Sequence, residues 1–497
     1  MTGALVALGR IQPGDEAVPL ISRYLGEQQE YAETAALALG MTGAQAALPI
    51  LLQLAEDGPE ARKLCKDKKV NYRTRAFALY GLGIWCTRSD RGYDKARVQR
   101  AVIGLLDDRP DRNRERRRAD DELRQDTQVA CLHALRLCRA DPTEPSGEIL
   151  RREALEFLLY YLADEDRPDL VRAHAVSALA GVLGRDDDPT GKGKARLLEL
   201  LGGRREQGII HQSCVMGLGR VGHEDDRDLI KDLARYADDG KDRTARFLAY
   251  IAIGRIAGDD SRNYLMGKMR NAKTQERNWL VLALGLLDDT RRQRSGATDV
   301  DRTIGEAILQ AGRKIKIHDN RGAYAVALGM QGYVAGAPLV RSWIKPGLKM
   351  IFNGYFAEGL GLMRDGASLD AIRGLVDDSL RHPGILAKAV LALGQIGDRA
   401  VAPFLMTLLR EQSSAAVMAG VSQALGQVGT EKEAEELLRI VADDAGLDLA
   451  RGFAAVAVGL MGEPTKLPWH LPLSDGINYL AQTETLVGGG NGVLEIL

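Results

Sequence analysis

The sequence predicts an all-α solenoid, an α-α superhelix in which about thirteen helical hairpins stack side by side. A phrase of a small residue, an apolar residue and glycine recurs along the whole 497-residue chain. Over its last five copies the glycines lie 32, 33, 32 and 33 residues apart. Hydrophobic residues make up 45% of the chain but aromatic residues only 5%, which suits a core of small aliphatic side chains. A fixed period of this size is the signature of a repeat array, whose core grows in one dimension.

Residues 399–429 show how one repeat forms two helices, named A and B in chain order. Pro403 fits the first turn of helix A, where its missing N–H is not needed. Ser413 and Ser414 interrupt the apolar pattern and are suited to cap helix B, which Gly429 ends. The recurring glycine falls inside helix B, where it costs about 1 kcal/mol relative to alanine. Its recurrence predicts that neighbouring B helices approach closely at this position.

A second column of residues supports this register. An arginine precedes the recurring glycine by eight residues in five repeats and by nine in a sixth. Acidic residues crowd several of the preceding A–B loops, which predicts a structural ladder of bidentate arginine–carboxylate pairs. The alternative is that these guanidinium groups form a stripe that recognises a ligand. The column consists of Arg75, Arg172, Arg246, Arg277, Arg321 and Arg451.

The runs from Val171 to Leu179 and from Ala387 to Asp398 resemble the second helix of a HEAT repeat. The resemblance extends over nearly the whole chain and implies a solenoid whose B helices line a concave face. The short units that end in Gly-Asp most resemble the subtype named after phycobilin lyases. The run from Trp469 to Leu497 resembles the terminal segment of HEAT-repeat proteins of planctomycete-type bacteria, which implies a bacterial protein.

Polar and aromatic residues early in several B helices would form a stripe along such a concave face. Tyrosine, tryptophan and arginine are the residues that most often dominate binding energy at interfaces. The alternative is that large members such as Trp279 and Phe356 are ordinary core residues. The candidate partner-binding residues are Tyr72, Arg73, Asn278, Trp279, Asn320, Tyr324, Asn353 and Tyr355.

The predicted organisation is a solenoid over residues 1–463 and a non-helical cap over residues 464–497. Prolines exclude a helix early in the cap, and strand formers followed by a glycine-rich turn predict a small β-hairpin that covers the last repeat. The polar segment 288–303 is predicted to be a loop or a flexible seam. The segment 107–126 mixes many arginines with many carboxylates, which favours a solvated insertion over a segment that binds nucleic acid.

Composition narrows the possible partners. The net charge is −1, so no global field attracts nucleic acid or an anionic membrane. No apolar run approaches the roughly 20 residues of a membrane span, and no signal peptide is recognisable, so we expect a soluble protein. Because the chain begins inside a B helix, export stays open if further residues precede it. The five cysteines are irregularly spaced, which predicts buried free thiols rather than a disulfide framework.

These observations together predict a non-catalytic, monomeric scaffold or adaptor that presents its concave surface to a protein or an extended peptide. No cofactor or metal is expected, because the chain has no HExxH, CxxC or phosphate-binding loop. One alternative is a lyase-like or glycosylase-like HEAT enzyme, which would need acidic and aromatic residues converging in the groove. The other is a nucleic-acid-binding solenoid, which would need a basic concave face.

Overall fold

The structure of the protein, a computed structural model, is helical and divides into two units. Unit 1 comprises Met1–Val221 and Thr465–Leu497, and unit 2 comprises Gly222–Pro464. The insertion predicted around residues 107–126 lies almost entirely outside the described residues. The structure describes residues 1–11, 14–89, 91–107, 124–141, 143, 145–185, 187–345, 352–397, 399–463, 476–487 and 492–494.

Twelve helices form the described solenoid part of unit 1. The B helices are α1, α3, α6, α8, α10 and α12, and each packs along the next one. The remaining helices are A helices, together with the short α5 in the first insertion. The bounds are α1 (Thr2–Ile11), α2 (Ala17–Ser22), α3 (Gln29–Thr42), α4 (Ala47–Ala55), α5 (Pro59–Leu64), α6 (Tyr72–Arg88), α7 (Gly92–Leu106), α8 (Gln125–Leu137), α9 (Pro145–Ala163), α10 (Asp169–Leu183), α11 (Gly193–Gly202) and α12 (Gly208–Val221).

Unit 2 repeats the same A–B alternation, with odd-numbered A helices and even-numbered B helices. Helix α16 continues to Ser295, so the first half of the predicted 288–303 loop is helical, and the division between units falls at residues 221 and 222. The bounds are α13 (Arg227–Asp239), α14 (Arg243–Ile256), α15 (Asp259–Asn271), α16 (Thr274–Ser295), α17 (Arg302–Arg313), α18 (Arg321–Gln331), α19 (Ala337–Trp343), α20 (Asn353–Leu362), α21 (Leu369–Asp378), α22 (Pro383–Ile396), α23 (Ala402–Glu411), α24 (Ala415–Val428), α25 (Glu431–Ala442) and α26 (Asp448–Gly462).

The recurring glycine lies where consecutive B helices touch, as its repetition predicts. A Cβ atom added to Gly9 would lie 2.9 Å from the carbonyl oxygen of Ala38 in the next B helix. The same atom added to Gly285 would lie 2.5 Å from the carbonyl oxygen of Ala327. Real side chains do not approach a backbone this closely, so glycine allows the helices to pack at this distance.

One disulfide bond contradicts the expectation of free thiols throughout. Cys86 near the end of α6 is bonded to Cys138 just after α8, with 4.9 Å between their Cα atoms and a sequence separation of 52. The pair forms because adjacent B helices bring their C-terminal ends together, a contact that irregular cysteine spacing does not reveal. The other three cysteines are free, and burial raises the pKa of Cys65 to about 11 and that of Cys131 to about 12.

The described part of the tail, residues 476–487 and 492–494, is called here the C-terminal segment. It forms turns and contains no strand in these residues, so the predicted β-hairpin is wrong. The amides of Val493 and Leu494 donate to the carbonyls of Thr485 and Leu486, at 2.9 and 3.2 Å. The two hydrogen-bonded stretches therefore run parallel to each other, whereas the two strands of a hairpin run antiparallel. The segment packs on the B helices of unit 1, where Ile477, Ala481, Leu486 and Val493 are buried.

Within the described ranges, no helix combines the length and the apolar character that crossing a bilayer requires.

Candidate functional site

The candidate site is one face of the B helices, called here the front face. It carries the residues six and seven positions before the recurring glycine. In unit 1 these positions include Glu33 on α3, His174 on α10, and Gln212 and Ser213 on α12. All four side chains are buried. The C-terminal segment lies against this face of unit 1 and runs from α12 towards α6.

The first anchor of the segment is Asn478, whose side chain is 2% exposed. Its Nδ2 donates to the carbonyl oxygen of Ile209 at 2.9 Å and lies 3.2 Å from the hydroxyl of Ser213. Its Oδ1 accepts from the amide of Leu480 at 3.1 Å, which holds the following turn. The Asn478 amide therefore ties the start of the segment to the first turns of α12.

The second anchor is a pair of buried histidines on adjacent B helices. His174 Nε2 lies 2.7 Å from the carbonyl oxygen of Ala481, and His133 Nε2 lies 3.1 Å from His174 Nδ1. Since a carbonyl oxygen only accepts, His174 carries its proton on Nε2, and His133 then donates to the free Nδ1. Burial lowers the pKa of His174 to about 4 and the pKa of His133 well below its ordinary value. Both rings are neutral at neutral pH.

The third anchor is Thr485, near the end of the stretch 476–487. The amide of Thr485 donates to Asp126 Oδ1 at 2.7 Å, and its hydroxyl lies 3.3 Å from that of the buried Tyr80. Asp126 lies in the first turn of α8 and Tyr80 in the middle of α6. The backbone of the segment is thus bound by side chains of α8 and α10, while α12 is contacted by the Asn478 side chain and α6 by the Thr485 hydroxyl.

The carboxylate of the segment is recognised by the two predicted groove residues of unit 1. Arg73 Nη1 donates to Glu484 Oε1 at 2.9 Å, and the hydroxyl of Tyr72 donates to Glu484 Oε2 at 3.2 Å. Arg73 is held in place by Glu33 of α3, which accepts from its Nε and Nη2 at 2.7 and 3.0 Å. Tyr72 and Arg73 therefore do contact polypeptide, namely the chain's own C-terminal segment.

Sequence reasoning missed His133, His174, Asp126 and Asn478. The partners of His174, Asp126 and Asn478 lie hundreds of residues away along the chain and show no periodic relation to them, and His133 contacts His174. One signal was present in the sequence: Glu33, His174 and Gln212 all stand seven positions before a recurring glycine. Polar residues at one position of several repeats indicate a shared front face, even where the ligand is unknown.

The front face of unit 2 carries aromatic and cationic side chains at the same positions. Phe247 stands seven positions before Gly254, while Trp279, Tyr355 and Lys388 each stand six before their own glycine. The rings of Phe247 and Trp279 stack with their centroids 5.8 Å apart. Lys388 Nζ lies 4.7 Å from the centre of the Tyr355 ring, and Tyr355 is 45% exposed. These four residues and Arg243, which lies 5.8 Å from the Phe247 ring centre, are called here the aromatic stripe.

The other predicted groove residues of unit 2 have structural contacts. Asn278 Nδ2 donates to Asn320 Oδ1 at 2.7 Å and so links α16 to the turn before α18. Tyr324 and Asn353 are each only 1% exposed. Asn353 Nδ2 donates to the carbonyl oxygen of Lys345 at 2.8 Å, which closes the connection between α19 and α20. The structure therefore separates the predicted set into surface members and buried members.

The arginine column mostly contacts backbone carbonyls rather than carboxylates, which corrects the predicted ladder. Arg172 makes a bidentate pair with Glu206 of the next repeat at 2.8 Å, and Arg451 contacts Asp444 in its own A–B loop at 2.8 Å. The last carbonyls of a helix lack an intrahelical partner, and arginine donors satisfy them at the ends of the A helices. Arg75, Arg246, Arg277 and Arg321 donate in this way to Ala55, Ala237, Ala272 and Ile315.

No group of three or more histidine, cysteine, aspartate or glutamate side chains in the described residues is arranged to hold a metal ion.

The fold is a helical-repeat solenoid within each unit, and comparisons with known proteins agree. Residues 380–459 match the family model of HEAT repeats. This stretch of the chain therefore contains HEAT repeats, as the sequence predicts. The subtype named after phycobilin lyases and the planctomycete-type resemblance stay predictions.

Solved structures that the chain matches include importin beta, a Kap95:Nup1 complex and human deoxyhypusine hydroxylase. A structure of importin beta is 13% identical, with a TM-score of 0.40, and the match covers 90% of this chain and 73% of that one. A Kap95:Nup1 complex is 14% identical, with a TM-score of 0.39, and the match covers 90% of this chain and 62% of that one. Human deoxyhypusine hydroxylase in complex with glycerol is 17% identical, with a TM-score of 0.27, and the match covers 57% of this chain and 99% of that one. No curated protein sequence matches the chain significantly.

Proposed function

We propose that this protein is a non-catalytic scaffold whose B-helix front faces bind extended segments of partner proteins. One observation carries the proposal: the front face of unit 1 holds a segment without helix or strand through side-chain bonds to its backbone. His174 donates to the carbonyl of Ala481 and Asp126 accepts from the amide of Thr485, while the segment's own Asn478 side chain donates to the carbonyl of Ile209.

Burial on the same face adds apolar contact to these hydrogen bonds. Ile477, Ala481, Leu486 and Val493 of the C-terminal segment are at most 1% exposed. Apolar side chains removed from water contribute roughly 25 cal/mol per Å² of buried area, so these contacts favour docking of an extended chain. Backbone hydrogen bonds combined with side-chain pockets allow a repeat solenoid to bind a polypeptide that has no secondary structure.

The aromatic stripe of unit 2 is the surface that we assign to a partner. It occupies the positions that hold the C-terminal segment in unit 1, and it presents stacked, half-buried rings and a partly exposed tyrosine. Tyrosine and tryptophan bury large areas at little cost in conformational entropy, which makes them effective anchors for a bound peptide.

Selection of linear peptides from a displayed random library against the intact chain tests this proposal. We expect selected peptides to bind the wild-type protein and to lose about tenfold or more in affinity with Trp279→Ala. The matched control is Leu438→Ala on the A helix α25, whose side chain is 54% exposed and lies off the front face. Failure to select any peptide, or equal losses with both variants, would contradict the proposal.

A further inference from the structure

We propose that the aromatic stripe of unit 2 selects extended peptides that carry carboxylate side chains on either side of an apolar residue. The inference rests on the proposed peptide-binding function and names the class of peptide. Its basis is the way in which Arg73 of unit 1, ten positions before the recurring glycine, holds a carboxylate, compared with two front-face cations of unit 2, Lys388 at six positions and Arg243 at eleven.

In unit 1 the carboxylate of Glu484 is bound by an arginine that already has a partner. Two guanidinium nitrogens of Arg73 donate to Glu33 on the preceding B helix, and the third donates to Glu484. A planar fork with five N–H donors can satisfy two carboxylates at once. Tyr72 supplies the second hydrogen bond from the neighbouring position. The binding unit is a cation held by a glutamate of the previous B helix, next to an aromatic ring.

Lys388 in unit 2 reproduces this arrangement. It forms an ion pair with Glu358 on the preceding B helix, α20, and lies over the ring of Tyr355 on the same helix. Its side chain is 36% exposed. An ammonium group has three donors, so the contact with Glu358 leaves capacity for an incoming carboxylate. The ring of Tyr355 in turn lies over α18, where a Cβ on Gly322 would be 3.1 Å from that of Tyr355.

Arg243 supplies a second cation at the other end of the stripe. It stands eleven positions before Gly254, as Tyr72 stands eleven before Gly83. Its guanidinium bonds to the neutral amide oxygen of Gln275 and lies beside the Phe247 ring, and no carboxylate of the described residues accepts from it.

The column arginines add to the positive charge along this edge of unit 2. Arg246, Arg277 and Arg321 donate to backbone carbonyls, so their charge is not paired with a carboxylate through those bonds. The nearby carboxylate of Glu276 accepts from the Tyr250 hydroxyl and lies 3.8 Å from Lys268. These arginines, with Arg243 and Lys388, are the cations that would meet a partner with negative charge, although Lys268 nearby also pairs with Asp238.

The spacing of the anchors gives the length of the peptide. In unit 1, residues 478, 481 and 484–485 contact successive B helices, so the bound chain advances about three residues per helix, as expected for helices 8–10 Å apart and an extended chain. The step from α20 to α14 then needs about nine or ten residues, with Trp279 on α16 facing the apolar residue between the two carboxylates.

The test uses fluorescence anisotropy of the full-length chain with three synthetic peptides about 14 residues long. They share a Leu-Trp-Leu centre flanked by glycine and serine, and differ only in whether one residue near each end is glutamate, glutamine or lysine. We expect the glutamate peptide to bind about tenfold more tightly than the glutamine peptide, and the lysine peptide to bind most weakly. Arg243→Glu should remove most of the preference, because it reverses the charge in a first turn that tolerates acidic residues.

The matched control is Arg235→Glu on the A helix α13, an arginine whose side chain is 75% exposed. It makes the same change of net charge off the front face and should leave the preference unchanged. Equal binding of the glutamate and glutamine peptides, or an unchanged preference with Arg243→Glu, would overturn the inference while leaving peptide binding intact. If none of the peptides binds the wild-type chain, while selection from the random library also fails, the proposed function itself is wrong.

Discussion

The front faces of the two units carry different side chains at the same positions of the repeat. In unit 1 these positions include the polar side chains of His174 and Ser213, and the chain's own C-terminal segment covers them. In unit 2 they hold Phe247, Trp279 and Tyr355, which remain partly exposed. The repeat therefore sets where the backbone lies, and the side chains at these positions differ between the two units.

The polar contacts in unit 1 also make its face sensitive to pH, whereas the stripe of unit 2 contains no histidine. Protonating His174 on Nδ1 would place its new proton against the N–H of His133, beside the positive charge of Arg136. The neutral pair is stable only while the rings stay unprotonated. This difference separates the two units by a measurable property.

The largest expected effect is a loss of stability in unit 1 on acidification. The folded pKa of His174 is lowered from 6.5 to about 4, so its contribution is fully present above pH 6.5 and is lost as the pH falls towards 4. A shift of this size corresponds to roughly 3 kcal/mol. The hydrogen-exchange protection factors of the amides of Thr485, Leu486 and Val493, which correct for slower intrinsic exchange in acid, should fall over this range. A similar fall in His174→Phe, which cannot titrate, would contradict this account.

Adding a methyl group between B helices should cost less, but still enough to measure. Gly285→Ala places a Cβ against the carbonyl of Ala327, and overpacking of this kind costs about 1–3 kcal/mol. The control is Gly267→Ala in the A helix α15, where a Cβ meets nothing within 4 Å. That change should stabilise the protein by up to about 1 kcal/mol through helix propensity. Chemical denaturation of both variants measures the difference, and a destabilising Gly267→Ala would weaken the argument.

Removing the Asn478 amide should loosen the C-terminal segment without affecting unit 2. Asn478→Ala leaves the carbonyl of Ile209 without that donor, at a cost of about 1–2 kcal/mol. We expect faster proteolysis within residues 476–487 and unchanged exchange in α14–α22. Protection of the segment at the wild-type level would show that the amide is not an anchor.

The smallest expected effect concerns the exposed ion pair at the end of the segment. Glu484 is 61% exposed, so Glu484→Gln should reduce the stability of docking by only about 0.2–1 kcal/mol. The loss should shrink further at high salt, because exposed charges are screened. A loss larger than that of Asn478→Ala would mean that the carboxylate, and not the backbone contacts, holds the segment.

Several features of the front face follow from the sequence because they repeat. The glycines mark the B helices and the places where these helices touch, and counting back from them locates Tyr72, Trp279 and Tyr355 near helix starts. The arginine column is also visible, but its partners are not, since a carbonyl at the end of an A helix has no sequence signature. Tyr324 and Asn353 share the composition of the surface residues, and burial alone distinguishes them.

The sequence by itself determined the solenoid, because each repeat contacts mainly its neighbours and a local pattern is enough to specify such contacts. Only the tertiary structure decided where the C-terminal segment lies and that Cys86 bonds to Cys138. It also decided that His133 and His174 form a chain of hydrogen bonds to the backbone carbonyl of Ala481. These contacts join residues whose separation follows no period. Their formation depends on the shape and polarity of a surface that exists only once the helices have packed.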